Sequence, residues 1–330
     1  MKRLLYIFVA LTLLMSSCNP NKKGQGQIYL PESVGQLNSL AVVIDNELWE
    51  GSVGDTIRKY FAAPVDGLPT EEPTFSLHQV PPQVFEGNTR NSRNILLIRK
   101  EEPCKAYIKD NAFARPQVVG IVQGKTHREI ACKVEEYAEQ FIYAFKNNDL
   151  AEAQKRFTSS LNNDPQVEQA LGFSFTMPSV YKVVKKENNF FWIERPIKGG
   201  TANIILYEMP AQPFITPDDK AQSIVKMRDS IGKRYIPGPK EGMYMVTETY
   251  LAPSIFETQL KGHRTIESKG LWEVKDFPLG GPYVNYMIED KNNKRWVVAE
   301  GFVSAPMVPK RDFLFELEAI IKSIKFTTKK

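Results

Sequence analysis

One cysteine stands where its thiol could be chemically modified, at the end of an apolar run near the start of the chain. The segment from Leu13 to Gly24 reads LLMSSCNPNKKG, so Cys18 follows two serines and precedes a polar, lysine-bearing stretch. The thiolate is the nucleophilic form of cysteine. Small neighbours also leave the backbone open to a processing peptidase. The residue types and their spacing therefore suit a covalently modified thiol beside a processing site at Cys18.

The residues before Cys18 have the composition of a signal peptide. Lys2 and Arg3 provide a positive start, and the stretch from Leu4 to Met15 is almost entirely apolar. At about 1.5 Å per residue this stretch would reach roughly 18 Å as a helix, too short for a hydrocarbon core of about 30 Å. We therefore expect residues 1–17 to be a signal peptide and not a membrane span.

The pattern resembles a bacterial lipobox, although Met15 is a less usual residue three positions before the cysteine. This resemblance implies a lipidated Cys18 at the new N-terminus and attachment to a membrane through several acyl chains, at about 0.8 kcal/mol per buried CH₂. A secreted protein with an incidental cysteine is the alternative. Residues 18–37 then form a polar tether without apolar periodicity.

The residues just after the cysteine bear on the final location. In some Gram-negative lineages acidic residues there direct a lipoprotein to the cell surface. This chain has Asn19, Pro20, Asn21, Lys22 and Lys23 instead. By resemblance, we expect a lipoprotein of the cell envelope, anchored in the outer membrane and facing the periplasm.

Composition describes an ordinary globular protein after the leader. The formal net charge of +5 falls to +3 without Lys2 and Arg3, which is too mild to indicate nucleic-acid binding. Hydrophobic residues make up 42% and charged residues 25% of the chain. Roughly 290 residues follow the tether, enough for two cores. We expect an N-terminal domain over 38–163 and a C-terminal domain over 164–330.

The search for catalytic motifs is negative. His78, His127 and His263 are far apart, and no HExxH, zinc-spaced cysteine pair or EF-hand ladder is present. GFSFT at Gly172 lacks the second glycine of a nucleophile elbow. We therefore expect no metal, no cofactor and no enzymatic activity. A hydrolase remains the alternative if His127 or His263 lies beside a serine and a carboxylate.

Two further cysteines could form a disulfide in an oxidising compartment. Cys104 lies in the loop EEPCKA, and Cys132 lies on a helix away from its apolar stripe of Ile130, Val134, Tyr137, Phe141 and Phe145. A bond between them would add roughly 3–4 kcal/mol in the chain-entropy model. Two independent reduced thiols are the alternative, and the sequence leaves both open.

In the first half the apolar patterns predict a strand, a helix, three or four strands and a long helix, which is an α+β arrangement. SLAVVI and NILLIR are the clearest strands, and helices are expected at about His127 to Asn147 and Leu150 to Leu161. The segment WEGSVGDTIR allows two interpretations. Trp49 fills the core while Gly51 and Gly54 permit close packing, or Trp49, Asp55 and Arg58 line a groove that binds a protein partner.

WEGSVGDTIR, GLPTEEPTF and RNILLI behind a lipoprotein leader resemble an uncharacterised Bacteroidota lipoprotein family, a domain of unknown function numbered four-eight-three-seven. The resemblance implies a location and an architecture over nearly the whole mature chain. It implies no chemistry.

The second half predicts a strand pair, a helix, a long antiparallel meander and a terminal helix. With FSFTMP near its start and LEAIIKSIKF at its end, it resembles the αβα sandwich of the PsbP and Mog type. We therefore expect two α/β sandwich domains with mainly antiparallel sheets. FPLGGPYVNY is expected to be a loop leading into a strand, with Tyr283 and Tyr286 either contacting a partner or covering a sheet edge.

These observations favour a membrane-anchored, non-enzymatic module that binds an envelope protein or another envelope component. The alternative is a lipoprotein that binds a small ligand or a lipid in a pocket between its two domains. A large apolar cavity between the domains would favour that alternative.

Overall fold

The structure, a computed structural model, describes residues 29–211 and 219–327. The helices within these ranges are α1 (Asn46–Glu50), α2 (Ser52–Phe61), α3 (His127–Phe157), α4 (Gln166–Leu171), α5 (Lys220–Tyr235) and α6 (Arg311–Ile321). The strands are β1 (Ser39–Val43), β2 (Ser76–Val80), β3 (Asn94–Arg99), β4 (Lys105–Asp110), β5 (Val118–Gln123), β6 (Phe173–Ser174), β7 (Lys182–Glu187), β8 (Phe190–Ile197), β9 (Gly200–Pro210), β10 (Met245–Thr247), β11 (Ser254–Leu260), β12 (His263–Val274), β13 (Phe277–Asp290), β14 (Arg295–Ser304) and β15 (Lys325–Phe326). Cys18 and the expected signal peptide lie outside the described residues.

The N-terminal unit is built on a five-stranded sheet in the order β2-β1-β3-β5-β4. One face is covered by α1, α2 and α3, whose buried residues include Ile57, Val134 and Phe141. The opposite face is covered by 3₁₀ turns at Pro82–Val84 and Gly87–Asn91, with Phe85 as their buried anchor. The clear strands of the sequence, SLAVVI and NILLIR, are β1 and β3.

Pairing in this sheet differs from the antiparallel pattern expected for both units. β2, β1, β3 and β5 are parallel to their neighbours, and β4 alone is antiparallel. The reason is visible in the strands themselves. β1 and β3 are continuous apolar runs, a pattern typical of parallel strands that are covered on both faces.

The C-terminal unit has the expected antiparallel meander. Its eight-stranded sheet has the order β10-β12-β13-β14-β9-β8-β7, with β11 paired to β12. α6 and the end of α3 pack on one face, whereas α5 packs on the other, so the unit is an αβα sandwich. Taken over both units, the molecule is a mixed α+β protein with mostly antiparallel pairing, which confirms the expected class.

One long helix replaces the two helices expected between His127 and Leu161. Thr126 caps its start in a reciprocal capping box with Glu129, and the helix continues for 31 residues to Phe157. Asp149, which lies between the two expected helices, is fully buried inside the single helix. It stays there because its carboxylate accepts hydrogen bonds from the Asn38 backbone N–H at 2.8 Å and from Arg93 at 3.2 Å. α3 thereby contributes to the cores of both units.

The expected tether is shorter than residues 18–37. The Arg115 N–H donates to the Pro31 carbonyl at 2.8 Å, and the Arg93 N–H donates to the Val34 carbonyl at 3.0 Å. Leu37 packs against the core of the C-terminal unit. Residues 31–37 therefore belong to the folded part, because their backbone groups pair with it. Within the described ranges, every helix falls short of the length and apolarity needed to span a bilayer.

Candidate functional site: a groove between the two units

A groove of about 590 Å³ lies where the two units meet. We call it the central groove. α3 supplies one wall, the segment from Pro64 to Thr74 supplies another, and α6 with β11 and β12 closes the third side. Its lining includes Val65, Ile142, Tyr143, Lys146, Leu150, Phe256, Glu267, Lys269, Leu314, Phe315, Glu318 and Lys322. This volume lies in the range typical of ligand-binding clefts.

The floor of the central groove is an ion-pair network. Lys269 Nζ lies 2.8 Å from Glu267 and 3.9 Å from Glu318, and Glu318 also pairs with Lys322. The Tyr286 hydroxyl donates to Glu318 at 3.1 Å. Burial opposes the charge on Glu318, but Lys269 and Lys322 outweigh it and lower the pKa of that carboxyl to about 2. These charges are mutually satisfied at neutral pH.

Lys146 differs from the other cations because it has no carboxylate within 4 Å among the described residues. Its Nζ donates to the Asn38 side-chain oxygen at 2.8 Å and to the Thr74 carbonyl at 3.1 Å. The ammonium also lies 4.8 Å from the centre of the Phe75 ring and 5.2 Å from that of Phe315. Burial lowers the pKa of Lys146 to about 8. It is the groove's cation with unused capacity for an anion.

The rim of the central groove is aromatic and apolar. Tyr143 is 73% exposed and Phe256 is 43% exposed, and both line the opening. Large aromatic side chains this exposed contribute apolar contact area to a bound molecule. The groove is therefore amphipathic, with aromatic rings at the mouth and paired charges beneath.

Direct contacts between the units hold the groove walls in place. The carboxylate of Glu72 accepts from the Lys310 N–H at 2.7 Å and from the Arg311 N–H at 2.9 Å. It thus caps α6 from the other unit, since Lys310 itself makes no side-chain cap. Asn38 is fully buried and also donates to Asp312 at 2.9 Å. These contacts between the two units hold the walls of the central groove in position.

The structure brings Trp49, Asp55 and Arg58 together, and Arg58 contacts the other two residues. The Arg58 guanidinium lies 4.7 Å from the centre of the Trp49 ring, donates to the Trp49 carbonyl and pairs with Asp55 at 2.8 Å. Trp49 also packs against the N-terminal core. The close approach expected at the glycines is present, since a Cβ on Gly54 would lie 1.8 Å from the Trp49 carbonyl oxygen.

The expected loop FPLGGPYVNY is instead the first part of β13. Tyr283 and Tyr286 are buried on opposite faces of the sheet, because side chains alternate along a strand. Tyr283 lies under the Arg228 guanidinium, 3.3 Å from the ring centre to its carbon. Tyr286 reaches the floor of the central groove through Glu318. The interpretation of these two side chains as loop contacts is therefore wrong.

Cys104 and Cys132 are both free and exposed in this structure. A bond between them stays a prediction for the oxidised protein. His127 Nε2 lies 3.5 Å from Glu47, and His263 Nδ1 lies 3.0 Å from the Glu289 carbonyl oxygen. Neither contact includes a serine. No group of three or more potential metal ligands comes together in the described ranges.

Sequence reasoning missed the residues that define the groove. Lys146, Lys269 and Glu318 are far apart along the chain and belong to α3, β12 and α6. Of the three, Lys146 directly follows the buried Phe145 on α3 and so lies beside its apolar stripe. A lysine beside an apolar stripe usually extends its ammonium to solvent, so the pattern alone does not reveal the site.

Two family models cover most of the described chain. Residues 160–323 match the domain of unknown function DUF4837, and residues 33–158 match the domain of unknown function DUF8532. The chain thus contains a DUF4837 domain, as the resemblance implied, over just under half of its length. The motifs that suggested that family, including WEGSVGDTIR, lie in the part matched by the other model. The expected extent over nearly the whole mature chain is therefore wrong.

No curated protein matches the chain. Among solved structures, the Ran-binding protein Mog1p of Saccharomyces cerevisiae is 10% identical, covers 47% of this chain and 90% of its own, and has a TM-score of 0.30. LpqN of Mycobacterium tuberculosis, described as involved in cell envelope biogenesis, is 12% identical over 47% of this chain and 83% of its own, with a TM-score of 0.30. The expected Mog-type neighbours are thus present. At this level of similarity they say nothing about function.

Proposed function

We propose that this chain is a membrane-anchored cell-envelope lipoprotein that binds an amphipathic envelope component in the central groove, without catalysing a reaction. The observation that carries the proposal is the combination of the exposed rim aromatics Tyr143 and Phe256 with Lys146, which has no carboxylate within 4 Å in the part of the chain that the structure describes. Such a groove suits a molecule with an apolar body and an anionic group. The Trp49 and Tyr283 sites give less support to a separate partner surface, because their side chains are occupied within the fold.

The anchor is a separate part of the proposal and rests on the leader and Cys18. Replacing Cys18 with alanine should release the folded protein into the soluble fraction, whereas the natural chain should sediment with the outer membrane after a high-salt wash. Continued sedimentation of Cys18→Ala after that wash would contradict attachment by lipid.

Native mass spectrometry of protein extracted gently from its own membrane tests the groove. We expect a bound mass that is lost in the double variant Tyr143→Ser with Phe256→Ser, since each lost aromatic contact weakens binding by about 1–2 kcal/mol. Tyr29→Ser is the matched control, because Tyr29 is 89% exposed and lies outside the groove lining. A small bound mass would define a carrier, and a protein at fixed stoichiometry would define an assembly module. A chain that carries nothing, or a mass unaffected by the double variant, would contradict the proposal.

A further inference from the structure

A second cavity, of about 350 Å³, lies along the edge of the five-stranded sheet that is formed by the carboxyl ends of β1 and β3, away from the central groove. We call it the sheet-edge pocket. Its lining includes Val43 and Asp45 at the end of β1 and Arg99 and Lys100 at the end of β3. The pocket therefore sits where the carboxyl ends of these two parallel strands meet.

The strand order places this pocket at a switch point of the sheet. β2 and β3 lie on opposite sides of β1. The connection from the carboxyl end of β1 leads to β2 on one side, whereas the connection from the carboxyl end of β3 leads to β4 and β5 on the other side. Connections that diverge in this way leave a crevice between the two strands. In open parallel sheets, ligands bind outside the carboxyl ends at such a switch point.

The walls of the pocket carry two aromatic rings. Phe85 and Phe113 meet edge to face, with their ring centres 5.3 Å apart, and both line the pocket with Pro82 and Leu97. This gives one side of the cavity an aromatic, apolar wall. A ligand ring could stack there with the geometry that aromatic pairs favour.

Arg90 is held in place above these rings. Its Nε donates to the Phe85 carbonyl at 2.9 Å, and its guanidinium carbon lies 5.6 Å from the centre of each phenyl ring. Its terminal nitrogens have no acceptor among the described residues. An arginine fixed by its stem and ring contacts presents a planar donor pair, which suits a carboxylate or phosphate and loses little freedom on binding.

The other charges of the pocket leave a positive balance. Lys100 has no carboxylate within 4 Å in the described part of the chain, and its Nζ lies 3.5 Å from His127 Nε2. Arg99 pairs with Glu101 at 3.2 Å. Asp45 is the acidic residue of the lining and makes no side-chain hydrogen bond to the α1 start that it precedes. Among the described residues, the two unpaired cations of the lining, Arg90 and Lys100, thus outnumber its one unpaired carboxylate, Asp45.

We propose that the sheet-edge pocket binds a small organic anion that carries a flat ring. The ring packs against Phe85 and Phe113, and the phosphate or carboxylate group is held by Arg90 and Lys100. This site is independent of the central groove and of any ligand bound there.

Isothermal titration of the mature chain with phenyl phosphate, benzoate and inorganic phosphate tests this inference. We expect phenyl phosphate or benzoate to bind at least about fivefold more tightly than inorganic phosphate, and the better of the two identifies the anionic group. Arg90→Gln and, separately, Lys100→Gln should each weaken that binding about fivefold or more. Lys109→Gln removes the same charge from β4 outside the pocket and should leave binding unchanged.

Lys100 and Lys109 are both exposed, so their variants should fold, and a thermal melt of each protein checks this. Three results would overturn the proposal. They are no binding of either aromatic anion, equal affinity for inorganic phosphate, and equal weakening by Lys109→Gln. A variant that no longer binds the ligand of the central groove but still binds phenyl phosphate would leave the inference intact.

Discussion

At the scale of single residues, Lys146 should make stability depend on pH. Burial lowers its pKa to about 8 in the folded chain, whereas a lysine in an unfolded chain titrates near 10.4. Between these values the unfolded chain binds more protons, so this group makes the folded state more stable as the pH rises through that window. Below pH 8 the cost of holding the buried charge is fully present.

The variant Lys146→Met tests this linkage. We expect the natural protein to gain about 1–2 kcal/mol of unfolding free energy relative to the variant between about pH 7 and about pH 10, allowing for the partial exposure of the lysine. Urea denaturation of both proteins across this range gives the difference in the free energy of unfolding. Parallel pH profiles would show that Lys146 keeps an ordinary pKa.

Two ion pairs in the same protein should differ sharply in their contribution. Arg228 and Glu300 form a bidentate pair at 2.7 and 2.8 Å, and their side chains are 3% and 2% exposed. Glu300→Gln leaves the Arg228 charge buried without a carboxylate and should cost about 3–5 kcal/mol. Asp55→Asn breaks the exposed Arg58 pair and should cost about 1 kcal/mol or less. Urea denaturation that gives similar losses for both would contradict this ranking.

At the scale of elements, Gly54 sets the junction between α1 and α2. Glycine is a weak helix former, so propensity alone predicts that Gly54→Ala stabilises α2 by about 1 kcal/mol. The structure predicts the opposite sign, because an alanine Cβ would lie 1.8 Å from the Trp49 carbonyl oxygen. We expect a loss of about 2 kcal/mol or more, since the backbone of one helix must shift. A thermal melt that shows stabilisation would mean that the two helices can separate at no cost.

At the scale of the whole molecule, the two units should be coupled through Glu72. Its carboxylate caps α6 across the boundary, and a lost N-cap typically costs about 1 kcal/mol. Glu72→Ala should therefore lower the stability of the C-terminal unit by about 1–2 kcal/mol although the mutation lies in the N-terminal unit. Glu71→Ala is the control, because Glu71 is exposed and adjacent. Calorimetry that shows equal melting for both variants would contradict a cap across the units.

Prediction from sequence worked where one segment carried its own pattern. The apolar stripes of α2 and α3 and the strands β1 and β3 were predictable, because periodicity reports which face of an element is buried. Prediction failed where side chains that are distant in the sequence determine whether a residue is buried. Asp149 interrupts the expected helix pattern, yet Arg93 and the Asn38 N–H make it an interior residue of α3. The buried role of Tyr283 and Tyr286 was hidden by the glycines and prolines before them, which resemble a loop.

The sequence by itself determined the α+β class and the main helices and strands, and its N-terminal pattern predicts lipid attachment at Cys18. These follow from composition and local spacing, and both act over short distances along the chain. Tertiary structure alone decided the order of the strands in the first sheet, the central groove and the sheet-edge pocket. Each of these depends on residues that are remote in sequence, such as Lys146 with Phe315, or Arg90 with Phe113. Only packing of the elements brings those side chains together, because no local pattern encodes which distant neighbour a side chain will meet.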